Sequence, residues 1–303
     1  MEPARPRVLV IRGGAIGDFI VSLPAIRLLR ENIPQVHIEV MGYSGIVELA
    51  VKTGLAEATL PLGDRRMAML YAKGAALDPA LADYFRSFNL IVSYLFDPDG
   101  ILRENMEKLG VKSLIDFPQL IIPGQGHASQ QLAKPLEKLA MFLEEPEWRR
   151  PTFLERTGKV TRRLAIHPGS GSTTKNWPAE NWLRLAEEIT AVHPQIEIVF
   201  IIGEAEAERG TLPRDIPFTR WQNLPLTDLV DHLHTCDLFL GHDSGISHLA
   251  AACGVPSLLL FGPTDPSTWA PPQPTVRVLR APSSDLKQLP YMAVRDTAFS
   301  MIR

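Results

Sequence analysis

Short apolar runs recur along this chain, each followed by a polar or glycine-rich break and then a stretch of helical period. The first run, Val8-Leu-Val-Ile11, centres a strand predicted over residues 7–11; HIEVM (37–41) and LIVSYL (90–95) predict two more. Helices are predicted after Asp18, over 46–52 and over 103–109. Pro24 falls inside the first of these. Interior proline lacks an N–H and costs ~3 kcal/mol, so the helix either kinks or restarts with Pro24 in its first turn.

Between Gln119 and Pro151 the pattern is punctuated by Pro123, Gly124, Gly126 and Pro146, with a helix predicted from about residue 130 to 143. A second series then begins. Strands are predicted over 163–167, 196–203, 238–241, 257–261 and 276–279, and helices over 178–192 and 226–235. A helical turn is expected over 205–210, and a helix after the Asp-Ser-Gly triplet at 243–245, closed by Gly254. This βα alternation argues two α/β domains, 1–156 and 157–303, each a parallel sheet covered on both faces. Two such domains facing each other place a ligand cleft at the carboxyl ends of their strands. A last helix, about 290–303, is a candidate to pack back on the first domain; periodicity does not decide it.

Composition narrows the class. Of the 303 residues 45% are hydrophobic and 21% charged, as in a folded globular chain, and a net charge of −3 supplies no basic field for nucleic acid. Two cysteines are too few for a disulfide framework, and neither has metal-ligand spacing. No apolar run approaches the ~18 residues of a membrane span, and the four-residue run near the N-terminus is too short for a signal peptide. The expectation is a cytoplasmic protein, compatible with peripheral contact at the inner membrane.

Three loops, each between a strand and a helix, carry the candidate chemistry. In the first, Gly13, Gly14 and Gly17 let backbone approach a ligand. Asp18 reads either as a helix N-cap or as a general base that takes a proton from an attacking hydroxyl, and the two readings are compatible. In the second, HPGSGSTTKNW (167–177), Gly169, Ser170 and Gly171 can offer N–H groups to an anion, and Lys175 is either a solvated cation or the neutraliser of a departing phosphate. In the third, GHDSGISHLAAA (241–252), the helix start at Ser244 and Gly245 is an anion site, with Asp243 a candidate for sugar hydroxyls and His248 about one turn on. The simpler reading is a capped helix with a buried histidine. A fourth rim loop, GPTDP (262–266), follows.

Two other chemistries fail on spacing. A hydrolase elbow needs glycine two residues on each side of the serine, whereas Gly241 lies three before Ser244 and Gly245 one after. His167, His242 and His248 fit no standard zinc set, so no metal and no cofactor are expected. For an acceptor, Arg65, Arg66, Lys73 and Arg103 are weaker candidates. RRMAMLYAKGAAL (65–77) reads either as a membrane-touching segment or as an ordinary amphipathic helix packed on its domain; the second is favoured.

Together, RGGAIGDFIVSLPAIRLLR (12–30), HPGSGSTTKNWPAENWLRLAEEI (167–189) and DLFLGHDSGISHLAAACGVPSLLLFGPTDPSTWAP (237–271) resemble the family-9 glycosyltransferases, the ADP-heptose:lipopolysaccharide heptosyltransferases. The resemblance covers most of the chain and is poorest over 54–155. It implies a GT-B architecture of two Rossmann-like domains, the N-terminal one for a lipid-linked sugar acceptor and the C-terminal one for a nucleotide sugar. It implies inverting, metal-independent transfer of heptose from ADP-heptose in lipopolysaccharide biosynthesis, with Asp18 as base and Lys175 on the donor phosphates. Asp243, Ser244, Gly245 and His248 would hold the diphosphate and sugar. The alternatives are a transferase of the same fold using another nucleotide sugar for a different glycan or glycoprotein, and a nucleotide-sugar-binding protein without catalysis.

Overall fold

The computed structural model describes residues 5–63, 65–74, 78–116, 120–153, 162–172, 175–213 and 215–302, without the side chains of Arg65 and Arg66. It divides into two compact units, Met1–Ile122 with Ala128–Trp148, and Pro123–His127 with Arg149–Arg303. The boundary expected at 156/157 falls among residues outside the described set.

The first unit is a parallel sheet of order β3-β2-β1-β4-β5. Its strands are β1 (Arg7–Arg12), β2 (His37–Gly42), β3 (Ala58–Pro61), β4 (Leu90–Ser93) and β5 (Leu114–Asp116). Its helices are α1 (Ile16–Ile20), α2 (Leu23–Asn32), α3 (Glu48–Lys52), α4 (Pro79–Arg86), α5 (Ile101–Lys108) and α6 (Ala128–Ala133). Val8 to Ile11 are at most 1% exposed, so β1 is covered on both faces, as an unbroken apolar run in a parallel sheet requires. Helix restart, not a kink, resolves Pro24: α1 stops at Ile20, and α2 carries the proline in its first turn, where the missing N–H has no intrahelical partner to lose.

Three differences from the sequence pattern are informative. The helix expected over 130–143 is instead α6 followed by a 3-10 helix, Lys134–Leu139, because Pro135 cannot continue the α ladder. Strands β3 and β5, of four and three residues, carry too little pattern to read alone. The segment from Arg65 forms a 3-10 helix to Tyr71 that buries Met67 and Leu70 in the unit's core and leaves Met69 and Tyr71 exposed. Packing on the domain therefore prevails over 65–71; residues 75–77 lie outside the described set.

The second unit is a six-stranded parallel sheet of order β11-β10-β9-β6-β7-β8. Its strands are β6 (Arg163–His167), β7 (Glu197–Ile202), β8 (Thr219–Gln222), β9 (Leu238–His242), β10 (Ser257–Phe261) and β11 (Val276–Arg280). Its helices are α7 (Ala179–Val192), α8 (Glu204–Arg209), α9 (Leu226–Leu233), α10 (Gly245–Ala252), α11 (Pro266–Trp269) and α12 (Tyr291–Met301). The terminal helix α12 belongs to this unit and packs on α7, with Val294 and Ala298 fully buried in its core. Both sheets reverse their direction of growth at one place, between β1 and β4 and between β6 and β9. Open parallel sheets bind ligands at the carboxyl ends of the strands flanking such a reversal. All three motif loops follow those strands, β1, β6 and β9.

Phe200 on β7 is wholly buried in the second core. Phe200→Ala should cost about 3–5 kcal/mol, read as a shift of that unit's unfolding transition to lower urea.

Candidate functional site

On the first unit, Gly14 sets the geometry of the loop after β1. Its φ is +102°, and a Cβ there would come within 2.9 Å of the Asp18 Cβ and Oδ2. Glycine alone admits both that backbone and that neighbour. Gly13 is less constrained, since its Cβ would meet Leu62, Leu95 and Tyr43 at ordinary contact distances. Gly17 is not a loop residue: the helix begins at Ile16 and includes it.

Asp18 is likewise not the N-cap, which is Ala15 three residues earlier. It lies in the first turn, where its Oδ2 accepts the Ala15 N–H at 3.0 Å and the helix dipole favours negative charge. Arg12 braces it from below. The Arg12 Nη2 and Nε donate to the Asp18 carbonyl at 2.9 and 3.2 Å, and Nη2 stands 3.9 Å from Oδ1. That guanidinium is buried against Tyr94, with its centre 5.5 Å from the ring centroid. Burial lowers the Arg12 pKa, and the Asp18 carboxylate opposes the shift. The Asp18 side chain keeps 41% of its surface exposed, so an oriented carboxylate remains open to a ligand.

Of the weaker acceptor candidates, Arg103 is already matched: it forms a two-point pair with Asp116 and stands 3.8 Å from Glu107. Lys73 is exposed beyond the 3-10 helix. The Arg65 and Arg66 side chains lie outside the described set.

On the second unit the two expected loops meet. The Lys175 Nζ donates to the Asp243 Oδ2 at 2.7 Å. With the lysine side chain 32% exposed, such a pair contributes at most about 1 kcal/mol to stability. Its consequence is position: a cation is held beside the start of α10. There Ser244 is the N-cap, its Oγ accepting from the Ser247 N–H at 3.3 Å. The N–H groups of Gly245 and Ile246 have no hydrogen-bond partner among the described residues. Two donors, a helix N-terminus and an ammonium make an anion-binding arrangement. His248 is 6% exposed on the same helix. Ser170 is turned inward, with Oγ 2.7 Å from both the Ser172 carbonyl and the Asn176 Oδ1, so it shapes its loop. Thr173 and Thr174 of this loop lie outside the described set.

Two residues hold this arrangement: His242, which pattern reading weighed only as a metal ligand, and Glu206, which it passed over. His242 is wholly buried at the end of β9. Its Nε2 accepts from the Trp177 backbone N–H at 2.8 Å and the Trp182 Nε1 at 3.3 Å, which leaves Nδ1 protonated toward the Gly169 carbonyl at 3.3 Å. Desolvation pushes its pKa down to about 3. Glu206, buried on α8, fills the space beside Gly169, where a Cβ would come within 2.2 Å of its side chain. Neither signal is local: both residues become legible only once β6, β7 and β9 are neighbours. Among the described residues, no group of three or more His, Cys, Asp or Glu is placed to hold a metal ion.

The neutral histidines of this unit set a pH dependence. The unfolded chain binds protons near pH 6.5, whereas folded His242 titrates at about 3, His127 at about 4, and burial lowers His167 as well. Their contribution is complete above pH 6.5 and is lost as pH falls toward 3, at up to about 1.4 kcal/mol per pH unit for each group. Urea titrations at pH 7 and pH 5 should show the second unit weaker at pH 5, and His242→Phe should flatten part of that slope.

Lipopolysaccharide heptosyltransferase 1 of Escherichia coli is 21% identical, over 95% of this chain and 96% of its own. A family-9 glycosyltransferase from Veillonella parvula superposes over 100% of this chain and 98% of its own, with TM-score 0.78 and 16% identity. The E. coli heptosyltransferase WaaC with ADP-2-deoxy-2-fluoro heptose covers 97% and 99%, with TM-score 0.72 and 18% identity. At such identities the structures establish a shared fold of two parallel-sheet α/β domains, the GT-B type. The family model spans residues 127–295, more than half the chain, taking in Lys175, Asp243 and His248 and stopping short of Asp18. By that match the chain belongs to glycosyltransferase family 9 (heptosyltransferase).

Proposed function

We propose that this glycosyltransferase moves a heptose from ADP-heptose to a lipid-linked core oligosaccharide in lipopolysaccharide biosynthesis, with inversion and without a metal. The observation that carries the donor half is the α10 start, where the Gly245 and Ile246 N–H groups, without a partner among the described residues, sit beside the Lys175–Asp243 pair. A diphosphate leaving group needs positive charge as the glycosidic bond breaks, and Lys175 with the helix N-terminus supplies it. Asp243 keeps the ammonium aimed before the diphosphate takes its place, and it is the candidate for a sugar hydroxyl. The name of the E. coli relative and the heptose analogue carried by the WaaC structure support ADP-heptose as the donor.

The first unit would bind the acceptor. Its hydroxyl loses its proton to Asp18 as the oxygen attacks the anomeric carbon from the face opposite ADP. The new bond is carbon to acceptor oxygen, the broken bond carbon to diphosphate oxygen, and the electron pair leaves with ADP. The Ala15 N–H and Arg12 fix the Asp18 carboxylate while 41% of the side chain stays exposed, as a base must be. Exposed Lys73, with Arg65 and Arg66, is the candidate cation set for the acceptor; Arg103 is already paired with Asp116. Among the described residues no helix is long and apolar enough to cross a membrane. A cytoplasmic location, in peripheral contact with the inner membrane where a lipid-linked acceptor is presented, suits this reading.

A transferase of the same family using another nucleotide sugar is the alternative, and a panel of ADP-, UDP- and GDP-sugars decides. A donor at 100 times its dissociation constant should stabilise the protein by about 2.7 kcal/mol. Greater stabilisation by a UDP- or GDP-sugar than by ADP-heptose would sink the donor assignment. Asp18→Asn should keep donor-induced stabilisation and lose 10²-fold or more in turnover, on the order expected for removal of a general base. Transfer by this variant at the unsubstituted rate would remove Asp18 from the chemistry.

A further inference from the structure

At the opposite ends of the second sheet's strands, away from the motif loops, lies a cavity of about 650 Å³. Arg163 opens β6, Asp237 precedes β9 and Thr275 precedes β11, so its floor is the amino ends of the strands. Its volume is that of a small-molecule site. One wall is apolar, from Ile196 and Met301.

The charges around it are unequally matched. The Arg163 guanidinium is satisfied by Glu197 at 2.6 and 2.8 Å and lies over the Trp221 ring. Arg162 and Arg277 have no carboxylate partner among the described residues; Arg277 donates to the Ser300 Oγ at 3.0 Å. Among the described lining residues Asp237 is the one carboxylate. Arg162 also has a φ of +43°, a left-handed backbone that arginine seldom adopts, with its carbonyl tied to the Glu197 N–H at 2.9 Å. A non-glycine residue kept in that region is a common mark of a functional site. Guanidinium groups pair with phosphate oxygens through two parallel N–H bonds, a geometry no ammonium offers.

We propose that this cavity binds a phosphate monoester with an apolar body, the phosphate held by Arg162 and Arg277 with the Thr275 hydroxyl beside them. The site is separate from the donor loops and stands whatever sugar nucleotide the enzyme uses. Such a ligand has two sources, a soluble phosphorylated compound or the headgroup of an anionic lipid.

The test uses phenyl phosphate by calorimetry, and phosphatidylcholine vesicles with and without phosphatidic acid by co-sedimentation. Phenyl phosphate should bind saturably, keep its affinity in Lys175→Ala, and weaken about tenfold or more in Arg162→Ala/Arg277→Ala. That double variant should keep the unsubstituted rate of sugar transfer. Binding to phosphatidic acid vesicles alone, with the same dependence on both arginines, would identify the lipid headgroup as the source. The proposal is overturned if neither probe binds, if the double variant binds as tightly as the unsubstituted protein, or if Lys175→Ala abolishes phenyl phosphate binding.

Discussion

The loop geometry of the second unit depends on one imidazole kept neutral. Wholly buried, His242 has an electron pair on Nε2 for the Trp177 and Trp182 N–H groups and a proton on Nδ1 for the Gly169 carbonyl. A protonated ring would lose the acceptor and leave a charge in the core, which desolvation forbids at neutral pH. Through this ring the loop after β6 is fixed to the end of β9. Lys175, two residues before Trp177, and Asp243, one after His242, are thereby brought within 2.7 Å. The Trp177–Trp182 edge contact and the parallel stacking of Trp177 on Tyr291 extend the support to α12.

The first unit solves a similar problem with a buried cation. Arg12 leaves β1 pointing into the unit, gives its donors to the carbonyl of Asp18, and rests on Tyr94, whose hydroxyl donates to Leu132. The exposed carboxylate is held by its backbone as well as by the Ala15 N–H. In both units a residue at the end of a central strand, Arg12 or His242, anchors the loop that carries the chemical group.

Local signals read part of this well. The βα rhythm, the central strands and the three rim loops are visible because a parallel sheet buried on both faces demands apolar runs of strand length and closes each with small or polar residues. Short edge strands such as β3 and β5 lack that demand and leave little trace. The helix expected over 130–143 also shows how one proline outweighs an otherwise helical stretch. Asp18 stands out in the sequence as a candidate, whereas its place in the first turn depends on a helix that starts at Ile16 despite the low helix propensity of Gly17.

By itself the sequence determined the fold class, the positions of the motif loops and the residue types able to hold an anion and take a proton, because these follow from chain-local periodicity and chemistry. Only tertiary structure decided which groups meet. Lys175 and Asp243 are 68 residues apart and are joined because β6 and β9 are neighbours. The same adjacency turns His242 from one histidine among eight into the ring that holds the loops together. Tertiary structure also shows what two candidate side chains already hold: the Ser170 hydroxyl bonds within its own loop, and Arg103 pairs with Asp116. The physical reason is common to all of these. A hydrogen bond or ion pair depends on distance in space, which periodicity along the chain does not encode.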